Sequence, residues 1–296
     1  MKISTSPRPP PPAVSKGASA GKPVPNFPGW TQYPTVDVPA LAVELVGKEA
    51  TGKTHVSGSF PYPALCDTEN KGWRVWKKLG QSKYFQAESW EDVLSFYYHI
   101  MENTVTSQDQ QGHVIDPAMT VDTVVFDSSR DLRDWAELFT LNILGKKSLF
   151  SKQEGAQKVQ YALVYQKLDD LIQSLRKSGR NVIFTARMKE EYVGDTRTGR
   201  MIRDGYNKAP YQFDVIVYLK KGVLNSKGQQ LYKKRIFGEV HKVGTMHMSK
   251  WPPYLVDVSY KGIITELVNG EGTDLSRDEF IDAVIRPQME AEHISP

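Results

Sequence analysis

The feature that most constrains this chain is the octapeptide GKEATGKT, which occupies residues 47–54. It matches the phosphate-binding pattern G-x-x-x-x-G-K-[ST] at every fixed position. Residues 41–46 are mostly apolar and predict a buried strand before it, and residues 53–57 can open a helix. In this setting the glycines let the backbone turn tightly, so that N–H groups point inward around an anion. The predicted nucleotide site consists of Gly47, Lys48, Glu49, Ala50, Thr51, Gly52, Lys53 and Thr54.

Three side chains are expected to supply the chemistry that a bound nucleotide needs. Lys53 would reach the β and γ phosphates, and the hydroxyl of Thr54 would hold Mg²⁺. Asp127 follows the apolar stretch of residues 123–126 and suits the role of steadying that metal. The nucleotide is expected to be ATP, because the sequence contains no Asn-Lys-x-Asp stretch of the kind that reads guanine.

The group that polarises the attacking water is expected just past the second predicted strand. That strand covers residues 64–66 and is followed by Asp67, Thr68 and Glu69. Ligands of α/β sheets bind at the carboxyl ends of the strands, which places both acids at the edge where the nucleotide would lie. Glu69 is the first candidate for this role, and Asp67 is the competing one.

Apolar strands alternate with helical patterns along most of the chain, and this order predicts the fold class. Between the strands, apolar residues recur at helical spacing, most clearly over residues 161–175. Such alternation is typical of an α/β fold in which helices flank a mainly parallel central sheet. The predicted strands include residues 41–46, 64–66, 123–126 and 181–185.

Composition divides the chain into three parts. Residues 1–39 are rich in Pro, Ser, Gly and Ala and predict a disordered tail, because they cannot bury enough apolar surface to offset the entropy of ordering. Residues 40–241 form the predicted ATPase core. Residues 242–296 form a C-terminal extension with a terminal helix, for which Ser276 and Glu279 are the expected capping box.

The overall composition is that of a globular protein. Of the 296 residues, 40% are apolar and 24% are charged, which supplies ample material for a core. The net charge of +4 permits a polyanionic partner without requiring one. Cys66 is the single cysteine, so no internal disulfide can form, and a reducing compartment is expected. The sequence has no apolar run of membrane-spanning length and predicts a soluble, cytoplasmic protein with no membrane partner.

Two short stretches carry a resemblance to a known family. The Asp-Thr-Glu at residues 67–69, followed by Val-Val-Phe-Asp at residues 124–127, resembles the ATPase core of RecA/RadA-type recombinases. In that family the glutamate of the D-x-E stretch activates water, which favours Glu69 over Asp67. The resemblance covers roughly residues 41–240 and implies a RecA-like P-loop NTPase fold that binds ATP and Mg²⁺.

The closer similarity is to small bacteriophage RecA-like ATPases, including the Sak-type single-strand annealing proteins. Phe-Asp-Ser-Ser at residues 126–129 resembles them, as does Ile-Phe-Thr-Ala-Arg at residues 183–187. The second stretch is similar to the Thr-x-Arg that ends a core strand in those proteins. Arg187 could sense the γ-phosphate or reach a neighbouring subunit's nucleotide as an arginine finger, and a plain surface arginine is the alternative.

The polar segment of residues 187–208 is the candidate DNA contact. It predicts a mobile loop or a hairpin, and Tyr192 and Tyr206 lie among its basic residues. Positive charge for phosphates and rings for stacking are what a single-strand contact requires, although a plain solvated loop has a similar composition. The DNA-binding candidates are Arg197, Arg200, Arg203 and Lys208.

Taken together, these features favour a RecA-like ATPase that acts on single-stranded DNA in phage recombination or annealing. We expect it to form a homo-oligomer and to work with single-strand-binding or recombination proteins. Two other classes stay open. One is a nucleotide-dependent assembly or loading factor that binds protein partners through its proline-rich tail. The other is a P-loop phosphotransferase that uses the basic segment as a lid.

Overall fold

The strands form one large mixed sheet, and the helices between them pack on its faces. A computed structural model describes residues 40–110, 113–145, 154–206, 208–244, 250–268, 270 and 272–295. The predicted tail, residues 1–39, lies outside the described residues. Within the described part, the strands are β1 Ala42–Gly47, β2 Pro63–Asp67, β3 Tyr84–Gln86, β4 Thr123–Asp127, β5 Asn181–Val193, β6 Thr196–Asp204, β7 Val215–Leu224, β8 Gln230–Val243 and β9 Tyr254–Leu255.

The centre of the sheet is parallel. The strand order is β3-β2-β4-β5-β1-β7-β8-β9, and the pairs from β3 to β7 are parallel, whereas β8 and β9 are antiparallel. Every residue of β1, β2 and β4 is buried, as expected for parallel strands that are covered on both faces. The prediction of a mainly parallel sheet flanked by helices is therefore confirmed.

Helices cover the sheet on both sides, because alternate residues of each strand point to opposite faces. Among the described residues, the α-helices are α1 Lys53–Ser57, α2 Trp73–Lys78, α3 Trp90–Asn103, α4 Ser129–Ile143, α5 Glu154–Lys177, α6 Ala209–Gln212, α7 Tyr260–Gly262, α8 Arg277–Phe280 and α9 Arg286–Ala291, and residues Ile263–Val268 and Ile281–Ile285 are π-helical. On one face, Ala42 and Val46 of β1 pack in a cluster with residues of α3, α4 and α5. On the other face, Leu45 packs with Val56 of α1 and with the C-terminal Ile263.

The segment after Ala186 is a hairpin, which was one of the two predicted alternatives. Strand β5 leaves the parallel core and continues in antiparallel pairing with β6, from Arg187 opposite Asp204 to Val193 opposite Thr196. The resemblance implied that the stretch from Thr185 to Arg187 ends a core strand, but β5 continues beyond it to Val193. This stretch marks the point where β5 exchanges its partners in the parallel core for the ladder with β6.

The C-terminal residues pack onto the same sheet. The residue 241 at which the core was expected to end lies inside β8. Phe280 and Ile285 lie in an apolar cluster with Phe237 of β8, and the predicted capping box of Ser276 and Glu279 is formed. None of the described helices has the length and apolar character needed to cross a membrane.

A buried ion pair joins the hairpin to the central strand. Glu44, in the middle of β1, has no exposed surface, and its Oε2 accepts a hydrogen bond from Nη1 of Arg203 at 2.7 Å. Burial raises the pKa of Glu44 from 4.5 to about 7, although the charge of Arg203 opposes the shift. Nη2 of Arg203 donates to the carbonyl of Tyr206 at 2.9 Å, and the side chain is only 13% exposed. Arg203 was expected to contact DNA, but it is turned into the protein to compensate a buried carboxylate.

The substitution Arg203→Met should destabilise the protein, and more so at high pH. The folded-state pKa of Glu44 lies above its ordinary value, so its protonated form stabilises the fold below pH 4.5, and this contribution is lost as the pH rises through about 7. Without Arg203, the charged carboxylate is left unpaired, at a cost of about 3–5 kcal/mol near pH 8. Near pH 5 the loss should be smaller, because Glu44 can stay protonated.

Denaturant unfolding at both pH values measures this difference, with Arg200→Met on the exposed part of β6 as the matched control. An equal loss of stability at the two pH values would contradict the assignment of the effect to Glu44.

Candidate functional site

The loop between β1 and α1 is tightly closed. Ala50 and Gly52 have positive φ angles of 56° and 86°. A Cβ on Gly47 would lie 2.4 Å from the hydroxyl oxygen of Thr51 and 3.0 Å from the carbonyl oxygen of Leu219, so only glycine fits there. The Thr51 hydroxyl donates to the carbonyl of Lys48 at 2.8 Å. The predicted phosphate-binding segment is thus a compact turn at the carboxyl end of the central strand.

The side chain of Lys53 folds back onto the start of this loop. Its Nζ donates to the carbonyl oxygens of Gly47 at 2.9 Å and Lys48 at 3.0 Å. Burial lowers the pKa of Lys53, and the nearby carboxylates of Asp127 and Glu69 oppose that shift. The ammonium group is therefore placed between the loop carbonyls and the acidic side chains, where it can exchange carbonyl contacts for phosphate oxygens.

Asp127 lies at the end of β4, and each of its carboxylate oxygens accepts a hydrogen bond from a threonine hydroxyl. The Thr54 hydroxyl donates to its Oδ2 at 2.7 Å, and the Thr185 hydroxyl donates to its Oδ1. Burial raises the pKa of Asp127, and the two hydroxyl donors act against it. Thr54 and Asp127 were predicted as metal ligands, and the structure brings them into direct contact. The partnership with Thr185 was not predicted, because nothing in the sequence shows that β4 and β5 are neighbours.

The two acids after β2 have different surroundings. Asp67 is fully buried, and its carboxylate accepts hydrogen bonds from the Gly72 amide at 2.7 Å, the Tyr84 hydroxyl at 3.0 Å and the Glu69 amide at 3.1 Å. These donors hold the turn that follows β2. Glu69 instead directs its carboxylate to the guanidinium of Arg187. Of the two candidates, Glu69 is the acid that faces the loop.

Arg187 connects the loop with Glu69. Its guanidinium forms an ion pair with the Glu69 carboxylate and lies 3.9 Å from the carboxylate of Glu49 in the loop. Burial alone would raise the pKa of Glu69, but the hydrogen bond and charge of Arg187 outweigh it and hold that pKa below its ordinary value. Arg187 is also the first residue of the hairpin ladder. The site and the hairpin therefore share one side chain.

A small hydrogen-bond network fixes the ends of β2 and β4 to each other. The Thr68 amide donates to the carbonyl of Asp127 at 2.7 Å, and the Thr68 hydroxyl accepts from the Ser128 amide at the same distance. Asp131 of α4 lies 2.9 Å from that hydroxyl and accepts from the Ser128 hydroxyl at 3.0 Å. Sequence reasoning did not assign roles to these residues. They set the spacing between Glu69 and Asp127.

The structure separates the predicted DNA contacts. Arg197 is exposed on the hairpin and lies 5.8 Å from the ring centre of Tyr192, which is 49% exposed. Arg200 is also exposed, and its side chain has no ion pair among the described residues. Lys208 lies off the hairpin, 3.9 Å from the carboxylate of Asp169. Tyr206, the second expected stacking ring, is buried.

The family comparison agrees with the geometry of the loop. A family model described as an AAA domain matches residues 40–250, which is most of the chain. The chain therefore belongs to the AAA domain family of P-loop ATPases, and this membership indicates nucleotide binding and ATPase activity in general. A search of curated proteins found no match.

The hydroxyl of Thr185 should be needed to hold Asp127 in the core. In Thr185→Val the buried Oδ1 loses its donor, and we expect the free energy of unfolding near pH 8 to fall by about 1–3 kcal/mol. Thr185→Ser keeps the hydroxyl and should cost less. Denaturant unfolding of the two variants measures the difference, and a larger loss in Thr185→Ser than in Thr185→Val would show that the methyl group stabilises this position more than the hydrogen bond does.

Proposed function

We propose that this protein is a RecA-like ATPase that hydrolyses ATP with Mg²⁺ and acts on single-stranded DNA in phage recombination or annealing. The observation that carries the proposal is the position of Arg187. This residue contacts the acid that faces the phosphate-binding loop, and it begins the hairpin whose outer part exposes basic and aromatic side chains. One residue thus links the site of hydrolysis to the surface proposed for DNA.

The described residues fit Mg²⁺ and a nucleoside triphosphate. The contact of the Thr54 hydroxyl with the Asp127 carboxylate offers the hard oxygen ligands that Mg²⁺ prefers. Gly47 leaves no room for a side chain, and a loop closed this tightly can turn its backbone N–H groups toward a phosphate. When bound, Mg²⁺ would neutralise charge on the phosphate oxygens. Thr54 and Asp127 would hold it, and Lys53 would contact the β and γ phosphates.

Glu69 is the group proposed to orient and polarise the attacking water. Its pKa is held low, so the carboxylate is ionised at neutral pH and can accept a hydrogen bond from water. The pair with Arg187 occupies that carboxylate, so hydrolysis requires the pair to open. Arg187 can exchange Glu69 for the terminal phosphate, because both are oxyanions that match a guanidinium. In this scheme Arg187 withholds Glu69 until the nucleotide is in place.

The outer hairpin is the proposed DNA surface. Arg197 and Arg200 supply exposed positive charge, and Tyr192 supplies an exposed ring on which a base can stack. We leave Arg203 out of the proposed surface, because it compensates Glu44 in the interior. Lys208 is a weaker candidate, because it lies off the hairpin, beyond the end of β6. The proposed DNA surface therefore contains fewer basic residues than the four that were expected from the sequence.

Single substitutions in the loop and at Glu69 should separate binding from hydrolysis. Lys53→Ala should abolish release of free phosphate. Glu69→Gln should bind ATP as the wild type does but hydrolyse it about 100-fold more slowly or worse, because it removes the group that polarises water. Phosphate release and binding of labelled ATP are measured with and without single-stranded DNA.

Normal hydrolysis by Glu69→Gln would exclude Glu69 as the base. Transfer of phosphate to an acceptor instead of water would favour the phosphotransferase class. If single-stranded DNA neither binds nor stimulates hydrolysis at low salt, the DNA role is excluded, because phosphate contacts are strongest there.

Removal of the exposed hairpin charges should weaken DNA binding without affecting nucleotide binding. The double variant Arg197→Ala/Arg200→Ala loses two phosphate contacts, so its affinity for single-stranded DNA should fall, and the slope of log affinity against log salt should decrease by about 1.4. A salt titration of DNA binding measures both. Lys227→Ala at the tip of the β7–β8 hairpin is the control, and an equal effect there would indicate a nonspecific charge effect.

A further inference from the structure

The β7–β8 hairpin touches the phosphate-binding loop on the side away from Glu69. Strand β1 lies between β5 and β7 in the sheet, so residues of β4 and β5 flank the loop on one side and those of β7 on the other. Leu219 of β7 is in register with Gly47, where its carbonyl oxygen would be 3.0 Å from an added Cβ. Ile236 of β8 has its Cδ1 3.8 Å from the position that a Cβ of Gly52 would take.

Lys221 belongs to this same face of the hairpin. Val217 and Leu219 of β7 pack in the cluster that contains Val56 of α1, and Lys221 is the next residue in that alternation. In the antiparallel ladder Lys221 is directly opposite Ile236, and opposite residues in such a ladder share a face with Cβ atoms about 5 Å apart. Lys221 thus lies beyond the carboxyl end of β1, next to the residue that contacts Gly52.

The side chain of Lys221 is available for a ligand. It is exposed, and within the described residues no carboxylate pairs with it. Its neighbour Lys220 points to the opposite face and forms an ion pair with Glu239. A flexible ammonium group of this kind is a suitable point charge for a phosphate oxygen.

The positions of the proposed catalytic and metal-holding residues set the direction of the nucleotide. Glu69, Arg187 and Asp127 lie toward β4 and β5, which is where the terminal phosphate must be if water attacks it from Glu69. The inner phosphates and the nucleoside then extend across the loop toward β7 and β8.

We propose that Lys221 is an additional nucleotide contact, which binds the inner phosphates while Ile236 packs beside the ribose. This inference rests on the proposed function, because it assumes that the loop binds a nucleotide. It assigns the two ends of the phosphate chain to different residues. Arg187 contacts the terminal phosphate only, whereas Lys221 contacts phosphates that ATP and ADP share.

Calorimetric titration of the full chain with ADP and with a non-hydrolysable ATP analogue tests this assignment. Lys221→Ala should lower the affinity for both ligands by the same factor, about tenfold, as expected for the loss of a charge-assisted contact. Arg187→Ala should lower the affinity for the ATP analogue but not the affinity for ADP. Lys221→Arg should restore most of the affinity, and Lys227→Ala, which removes a charge at the far end of the same hairpin, should bind both ligands as the wild type does.

The outcomes separate the inference from the proposed function. If the wild type binds neither ligand, the proposed function fails and the inference with it. If the wild type binds both and Lys221→Ala binds them equally well, only the role of Lys221 is overturned. Loss of affinity for the ATP analogue but not for ADP would place Lys221 at the terminal phosphate and overturn the proposed direction. Because Lys221 is exposed, the variant is expected to fold, and its thermal unfolding checks this.

Discussion

The ion pair between Arg187 and Glu69 is the interaction on which the arrangement of the site depends. It forms where β5 leaves the parallel core, and it holds the hairpin against the edge that carries the phosphate-binding loop. Parallel strands can bring an acid from β2 and a cation from β5 together because their carboxyl ends meet at one edge of the sheet. The pair is accessible enough to exchange its partners, which a fully buried pair could not do without a large desolvation cost.

The loop and the positions of Thr54 and Asp127 beside it could be predicted from sequence because their constraints are local. Eight consecutive residues define the phosphate cradle, and Asp127 ends a strand whose apolar run is unmistakable. The choice between Asp67 and Glu69 could not be made from local sequence and needed the contacts of the folded protein. Both lie at the end of the same strand. Only the structure shows that Asp67 accepts three hydrogen bonds from the turn, whereas Glu69 pairs with Arg187.

The hairpin could not be divided into inner and outer residues from the sequence. Alternation predicts which residues of a strand share a face, but it does not show which face is covered. The ladder also shifts register between Glu190 and Tyr192, so alternation cannot be followed through it. Arg203 appeared equivalent to Arg197 and Arg200 for that reason. The residue that distinguishes it is Glu44, which lies 159 positions away in the chain.

The hairpin is anchored by contacts of unequal strength, and this difference bears on how a change at the site could reach the outer hairpin. On β6, Arg203 is held by the buried Glu44, and Asp204 accepts a hydrogen bond from Arg130 of α4 at 3.0 Å. On β5, Arg187 is held by the ion pair with Glu69 and, at 3.9 Å, by the carboxylate of Glu49 in the loop. A change of partner at Arg187 would therefore act on one strand of the hairpin while the other stays fixed. Because the strands are joined by their ladder, such a change would tilt the outer residues rather than displace the whole element.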